Sequence, residues 1–103
     1  MKLKNKNNYF TYLYDNKNFI LHQAIKIVSK INGDEAVLNN GIYNDSSSVG
    51  RHYCLNIRKG NHKFALDVPL GAGKFRVDVS SDKRYGIHFT SINKCIDFIN
   101  NYS

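Results

Sequence analysis

RHYCLNIRKGNHKFALDVPLGAGKFRVDVSSDKRYGIHFT, residues 51–90, decides the fold because apolar residues recur there at every second position. In its first run Tyr53, Leu55 and Ile57 alternate with more polar residues. The later runs alternate in the same way, with apolar residues Phe64, Leu66, Val68, Phe75, Val77, Val79, Tyr85, Ile87 and Phe89. A period of two in β-branched and aromatic residues predicts strands with one buried face. The short, turn-rich connectors 59–62, 69–73 and 80–84 predict an antiparallel meander.

The register of this meander follows from keeping the apolar residues on one side, because a slip of one residue turns a whole strand over. We predict three cross-strand neighbours on the apolar face: Ile57 with Phe64, Val68 with Phe75, and Val77 with Ile87. The opposite, outer face is then polar and open. A row of four residues crosses it, made of Cys54, Asp67, Arg76 and His88.

The same register sets Arg58 directly opposite Lys63 on the outer face. Like charges in this arrangement are mildly unfavourable. An anionic partner would relieve the repulsion and so favours a phosphate or acidic ligand. Splaying of the two side chains at the end of the hairpin would relieve it equally well.

Two segments outside the meander have helical spacing. Residues 19–31 carry one apolar stripe, made of Ile20, Leu21, Ala24, Ile27, Val28 and Ile31, and Asn32-Gly33 predicts its end. A second stripe follows a Thr90 or Ser91 N-cap and consists of Ile92, Cys95, Ile96, Ile99 and Tyr102. We predict an α+β fold in which an antiparallel meander of four to five strands has two helices packed on one face.

The rest of the chain is less informative. Its 103 residues predict one domain, residues 1–103, with a polar and basic segment 1–8 that is expected to be frayed. Residues 9–14, YFTYLY, have strand propensity. Residues 34–38 fit either a short helix or one arm of a hairpin that turns at Asn40-Gly41.

Cysteine usage predicts the compartment. Cys54 falls on the outer face and Cys95 on a helix stripe, so the sheet separates two free thiols, as in a reducing compartment. The N-terminus has no apolar signal-peptide core, and no stretch approaches 18 apolar residues. We therefore expect a cytoplasmic protein without a membrane partner. Abundant Asn, Lys, Ile and Tyr are typical of an AT-rich genome, such as that of a bacterium or its phage.

One stretch resembles a phosphate-binding loop but fails its requirements. Gly71-Ala72-Gly73-Lys74 would need a glycine where Val68 stands and a Ser or Thr where Phe75 stands. It would also need a following helix, whereas the pattern predicts a strand. A hairpin loop is the better interpretation.

Metal and nucleophile motifs are also lacking. The four histidines have no metal-ligand spacing, and a zinc site would need the fold to gather Cys54 with His52 or His88. In the predicted row two strands separate Cys54 from His88, which is too far for a thiolate–imidazole pair. We expect no metal, no cofactor and no catalytic residues.

Charge is the remaining functional signal. The formal net charge of +7, from 15 Lys and Arg against 8 Asp and Glu, favours anionic partners. The predicted binding residues are Arg58, Lys59, Lys63, Lys74, Arg76, Lys83 and Arg84. These side chains could neutralise phosphates and make binding strongly salt-dependent. Single-stranded nucleic acid would also need stacking platforms. Tyr9, Tyr12, Tyr14 or Tyr43 would have to supply them.

These features favour a small, basic, non-enzymatic module that binds nucleic acid through the polar sheet face and the hairpin loops. The alternative is a phage or mobile-element protein that binds and inhibits a host protein or nucleoprotein complex. In that case the same basic face would meet an acidic protein surface. An exposed edge strand could also pair two copies into a homodimer. An enzyme ranks third.

Overall fold

A computed structural model of the chain describes residues 1–5, 17–39, 41–45, 48–81 and 86–103. Within these ranges there are seven strands and two helices, which confirms the α+β class. The sheet is larger than the predicted four to five strands. The elements are, in order, β1 (Leu3–Asn5), α1 (Lys17–Val28), β2 (Glu35–Leu38), β3 (Tyr43–Asn44), β4 (Arg51–Lys59), β5 (His62–Pro69), β6 (Phe75–Val79), β7 (Ile87–Phe89) and α2 (Ile92–Asn101).

The meander forms the larger part of one sheet. The strands lie in the order β1-β2-β4-β5-β6-β7, and β3 pairs with β4 beside β2. Consecutive strands from β4 to β7 are antiparallel, with Ile57 opposite Phe64 and Val77 opposite Ile87. These two predicted neighbours are confirmed. The register follows from the apolar pattern, because any slip would expose the buried residues.

Residues 34–44, for which the sequence left a helix or a hairpin open, form two short strands beside β4. β2 and β3 both pair antiparallel with β4, so neither a helix nor a hairpin between them is present. Leu38 lies opposite Leu55, and Tyr43 lies opposite His52. Leu38 and Tyr43 are five positions apart, whereas their partners Leu55 and His52 are three apart, so the pairing with β4 is interrupted between β2 and β3. Ala36 and Leu38 are 0% and 1% exposed, so burial beside β4 favours the strand.

The N-terminal strand was not expected. β1 lies inside the segment 1–8 and pairs in parallel with β2, with Leu3 opposite Ala36. The strand predicted at residues 9–14 lies outside the described residues.

Both helices contribute to one core with the apolar face of the sheet. Their buried residues are Ile20, Ala24, Ile27, Val28, Ile31, Cys95, Ile96 and Ile99, which pack with Tyr53, Leu55, Phe64, Leu66 and Val77. α1 ends at Val28, before the predicted Ile31, and the next residues continue as a turn in which the Ile31 N–H donates to the Val28 carbonyl over 3.1 Å. The Ser91 hydroxyl accepts the Lys94 N–H, which confirms Ser91 as the N-cap of α2.

Polar contacts tie the helices to each other and to the sheet. The Tyr53 hydroxyl donates to Oε1 of Gln23 over 2.6 Å. Nδ2 of Asn100 donates to the Lys30 carbonyl over 3.0 Å, and its Oδ1 accepts the Asn32 N–H over 2.8 Å. The C-terminal ends of α1 and α2 therefore lie side by side. Neither helix in the described ranges is long and apolar enough to cross a membrane.

Candidate functional site

One half of the outer face holds a buried polar cluster, made of His52, Cys54, Asp67, Arg76 and Asp45. Oδ2 of Asp67 accepts from Nε and Nη2 of Arg76, each over 2.8 Å. Nη2 of Arg76 also lies 2.9 Å from Oδ2 of Asp45. Nε2 of His52 lies 3.8 Å from Oδ1 of Asp67. Two carboxylates thus hold one guanidinium in place.

The predicted row is confirmed, but this part of the outer face is not open. Cys54 lies opposite Asp67, Asp67 opposite Arg76, and Arg76 opposite His88. Cys54 and Asp67 are nevertheless only 8% and 5% exposed. Asp45, which follows β3, reaches across the sheet to Arg76, and Gly86 comes close to the same side chain. A Cβ on Gly86 would lie 2.6 Å from Cγ and Cδ of Arg76, so a larger residue would have to displace this side chain.

The cluster has the residue types of a nucleophilic site without the protonation state that such a site needs. Burial, together with the charge and hydrogen bond of the neighbouring Asp67 carboxylate, raises the pKa of the Cys54 thiol to about 12. The reactive form of cysteine is the thiolate. Cys54 is therefore a protonated, inert thiol at neutral pH.

Arg76 is held as a cation by the same contacts. Burial opposes its charge, but the hydrogen bond and the charge of Asp67, together with those of Asp45, raise its pKa overall. Among the described residues, no group of three or more His, Cys, Asp or Glu side chains is placed to hold a metal ion. The arrangement therefore fits a structural role for the cluster.

The other half of the outer face is an open groove along β2, β4 and β5, which we call the strand groove. Its polar lining consists of Glu35, Asn39, Asn56, Arg58 and Lys63. Nδ2 of Asn56 donates to Oδ1 of Asn39 across the gap between β4 and the end of β2. The two amides leave further donor and acceptor positions, since each amide can make several hydrogen bonds.

Two cations lie opposite each other at one end of the strand groove. Arg58 and Lys63 are cross-strand partners, as predicted, and both are exposed. Nη1 of Arg58 lies 3.3 Å from Oδ2 of Asp34, with both side chains about half exposed. Such an exposed pair contributes little and competes weakly with another anion. Lys63 makes no ion pair within the described ranges.

Two of the other predicted binding residues have intramolecular roles. Nζ of Lys59 donates to the carbonyls of Ile99, Asn100 and Tyr102 over 2.7 to 3.0 Å, which satisfies the C-terminal end of α2. Arg76 belongs to the polar cluster.

The remaining predicted cations lie away from the Arg58–Lys63 end. Lys74 is exposed just before β6, at the end of the sheet where β4 begins. Lys83 and Arg84 lie outside the described residues.

Tyr43 supplies an aromatic ring on the outer face. It lies opposite His52, with ring centroids 5.9 Å apart and a tilt of 32° between the rings, and it is 44% exposed. Tyr9, Tyr12 and Tyr14 lie outside the described residues. Asn39 and Asn56 were not among the predicted binding residues. The alternation places Asn56 on the outer face, whereas no local pattern brings Asn39 to it.

Comparison with known proteins adds no relative: no family model, curated protein or solved structure matches the chain.

Proposed function

We propose that the chain binds single-stranded nucleic acid along the outer face of β4. The observation that carries the proposal is the order of side chains along this strand. Arg58 and Lys63 lie at one end, the amides of Asn39 and Asn56 follow, and Tyr43 lies at the other end. Cations, hydrogen-bonding amides and an exposed ring are the parts that single-strand binders combine.

The dimensions support an extended ligand. Arg58 lies six positions from His52, the partner of Tyr43, so the path is ~20 Å long at about 3.3 Å per residue. Lys74 adds a cation at the Tyr43 end. Phosphates would lie at Arg58, Lys63 and Lys74, the amides would face base edges, and Tyr43 would stack on one base.

Charge favours this path over the neighbouring half of the sheet. Around Arg76 lie three carboxylates, those of Asp45, Asp67 and Asp78, at 2.8 to 4.0 Å. A phosphate there would meet excess negative charge. The strand groove has one carboxylate in its lining, Glu35, whose Oε2 lies 3.3 Å from Nζ of Lys4, and one beside it, the exposed Asp34 next to Arg58.

The protonated Cys54 thiol and the structural role of the polar cluster support a binding module without catalytic residues or a cofactor. Both cysteines are free and buried, which fits a reducing compartment, and we infer a cytoplasmic protein.

Charge reversal at the cationic end tests the proposal. Binding of a fluorescein-labelled 20-nucleotide single strand, as DNA and as RNA, is measured by gel shift and fluorescence anisotropy. Arg58→Glu combined with Lys63→Glu should weaken binding at least tenfold, because two attractive charges become repulsive. If three phosphates are contacted, the logarithm of affinity should fall against that of salt with a slope of about −2.

A matched control separates this surface from net charge. Lys26→Glu with Lys30→Glu changes the charge equally but alters α1, and binding should stay within threefold. Arg58→Glu sets a carboxylate opposite Glu35 between β2 and β4, and this new repulsion acts on the fold as well as on the ligand. The neutral pair Arg58→Gln and Lys63→Gln is therefore measured as well, and thermal melting compares the stability of every variant. Equal binding by the wild type and both strand-groove variants, or equal loss in the α1 control, would contradict the proposal.

A further inference from the structure

A second groove lies between the two helices, on the opposite side of the sheet from the strand groove. We call it the helix groove. Its lining includes Lys26 and Ile27 of α1, Lys30 in the turn that follows α1, Phe75 of β6, and Ile92 and Ile96 of α2. Most of this lining is apolar. The lysines are the charged part of it, so the helix groove is an apolar cleft with a cationic wall.

The two helices close the helix groove at one end. Asn100 bridges the Lys30 carbonyl and the Asn32 N–H, which joins the C-terminal ends of α1 and α2. The stripe of α1 that carries Lys26, and that Lys30 continues in the following turn, begins with Phe19, which is 61% exposed. From Phe19 to its end at Val28 the helix rises ~14 Å at about 1.5 Å per residue, the length of about two and a half helical turns.

The size of the cavity indicates what enters it. Its volume is about 180 Å³. Pockets for drug-sized molecules measure roughly 300–1,000 Å³, so this cavity is too small for a whole ligand of that class. It suits apolar side chains that project from a larger partner.

The charge of the cationic wall restricts the partner further. Lys26 and Lys30 lie one helical turn apart, and like charges at this spacing repel each other. α1 contains no acidic residue, and neither lysine makes an ion pair within the described ranges. Carboxylates on a partner would relieve the repulsion. A second copy of this chain would instead bring its own charge of +7. Nucleic acid would place bases against a lining made mainly of isoleucines, in which the ring of Phe75 is partly buried and poorly placed for stacking.

We propose that the helix groove binds an acidic amphipathic helix of a partner protein. Apolar residues of that helix, spaced i, i+3 or i+4, and i+7, pack against Ile27, Ile92 and Ile96, as in helix-in-groove recognition. Its flanking Asp and Glu side chains pair with Lys26 and Lys30. Because the two grooves lie on opposite sides of the sheet, a nucleic acid and this partner can bind together. The inference does not depend on the nucleic-acid proposal.

Peptide display tests this inference. A library of random 15-residue peptides displayed on phage is selected on the wild-type chain and depleted on the variant with Lys26→Glu and Lys30→Glu. Enriched peptides should carry net negative charge and apolar residues at helical spacing. In fluorescence anisotropy, the most enriched peptide should bind that variant at least tenfold more weakly than the wild type. Arg58→Glu with Lys63→Glu, an equal change in charge, should alter its affinity less than threefold.

Amide chemical shifts of the ¹⁵N-labelled chain locate the bound peptide, and the shifts should concentrate on α1 and α2. Failure to enrich any peptide, enrichment of neutral or basic peptides, or shifts confined to the strand groove would overturn the proposal. Sedimentation that shows dimers dissociated by the α1 variant, without peptide binding, would assign the helix groove to a second copy and overturn it too. Loss of single-strand binding alone would leave the helix groove unaffected, so the two proposals fail separately.

Discussion

Two cross-strand pairs on the outer face differ in both charge and exposure. Arg58 and Lys63 face each other between β4 and β5 with like charge and remain exposed. Asp67 and Arg76 face each other between β5 and β6 with opposite charge and lie in the buried polar cluster. The same sheet face thus uses one pair for structure and leaves the other accessible to a ligand. The number of basic residues does not distinguish these uses, whereas the burial of their carboxylate partners does, since Asp67 is 5% exposed and the Asp34 side chain beside Arg58 is about half exposed.

The largest expected effect comes from breaking the buried pair. Asp67→Ala should lower the free energy of unfolding by about 3 kcal/mol, because a partly buried guanidinium loses its main partner. Chemical denaturation followed by circular dichroism measures the loss. Glu35→Ala removes the exposed partner of Lys4 and should cost less than about 1 kcal/mol. Equal losses in the two variants would show that the polar cluster is not a stabilising element.

The thiol beside the buried pair gives a pH test. Burial raises the pKa of Cys54 and of Cys95 from 9.0 to about 12. Between these values the unfolded chain has lost each thiol proton and the folded chain still holds it. The folded state therefore loses stability as pH rises above 9, by up to about 1.4 kcal/mol per pH unit for each thiol.

Denaturation at pH 8, 9 and 10 measures this slope. The variant with Cys54→Ala and Cys95→Ala keeps every other titrating group, so its stability should fall less steeply over the same range. Parallel slopes in the variant and the wild type would show that the two thiols are not the source.

The smallest expected effect comes from converting the exposed pair into an opposite-charge pair. Lys63→Glu sets a carboxylate opposite Arg58 and should stabilise the fold by about 0.5 kcal/mol, the usual range for cross-strand ion pairs. Lys63→Gln is the control that removes the repulsion without adding attraction. A loss of stability on Lys63→Glu would show that Arg58 and Lys63 do not interact as exposed cross-strand neighbours.

The sequence predicted the meander in most of its detail. Its register, the stripe of α2 and the Ser91 cap follow from local spacing, because a strand or helix can bury only one set of its residues. The inward and outward positions of Cys95 and Cys54 follow for the same reason. The strand count was too low, because short β1 and β3 have no alternation to recognise and form only where β2 and β4 offer unpaired edges.

The candidate sites were less predictable. Alternation shows that Lys63 and Arg76 both point outward, but it does not show that Asp45 reaches over Arg76 and leaves Lys63 without a carboxylate. Lys59 looks like a surface cation in the sequence, yet it satisfies carbonyls some 40 positions away at the end of α2. The helix groove also depends on how two distant helices pack.

The sequence by itself determined which residues of each strand and helix are buried, since that depends on periods of two and 3.6 residues along the chain. Tertiary structure alone decided which charges are neutralised and which remain available. Ion pairs and hydrogen bonds depend on distances between side chains that are remote in sequence, and these distances exist only once the sheet and helices have packed. The region 51–102 thus shows both effects. Its alternating pattern specifies which residues enter the core, whereas contacts with the rest of the chain decide which charges on its outer face are neutralised.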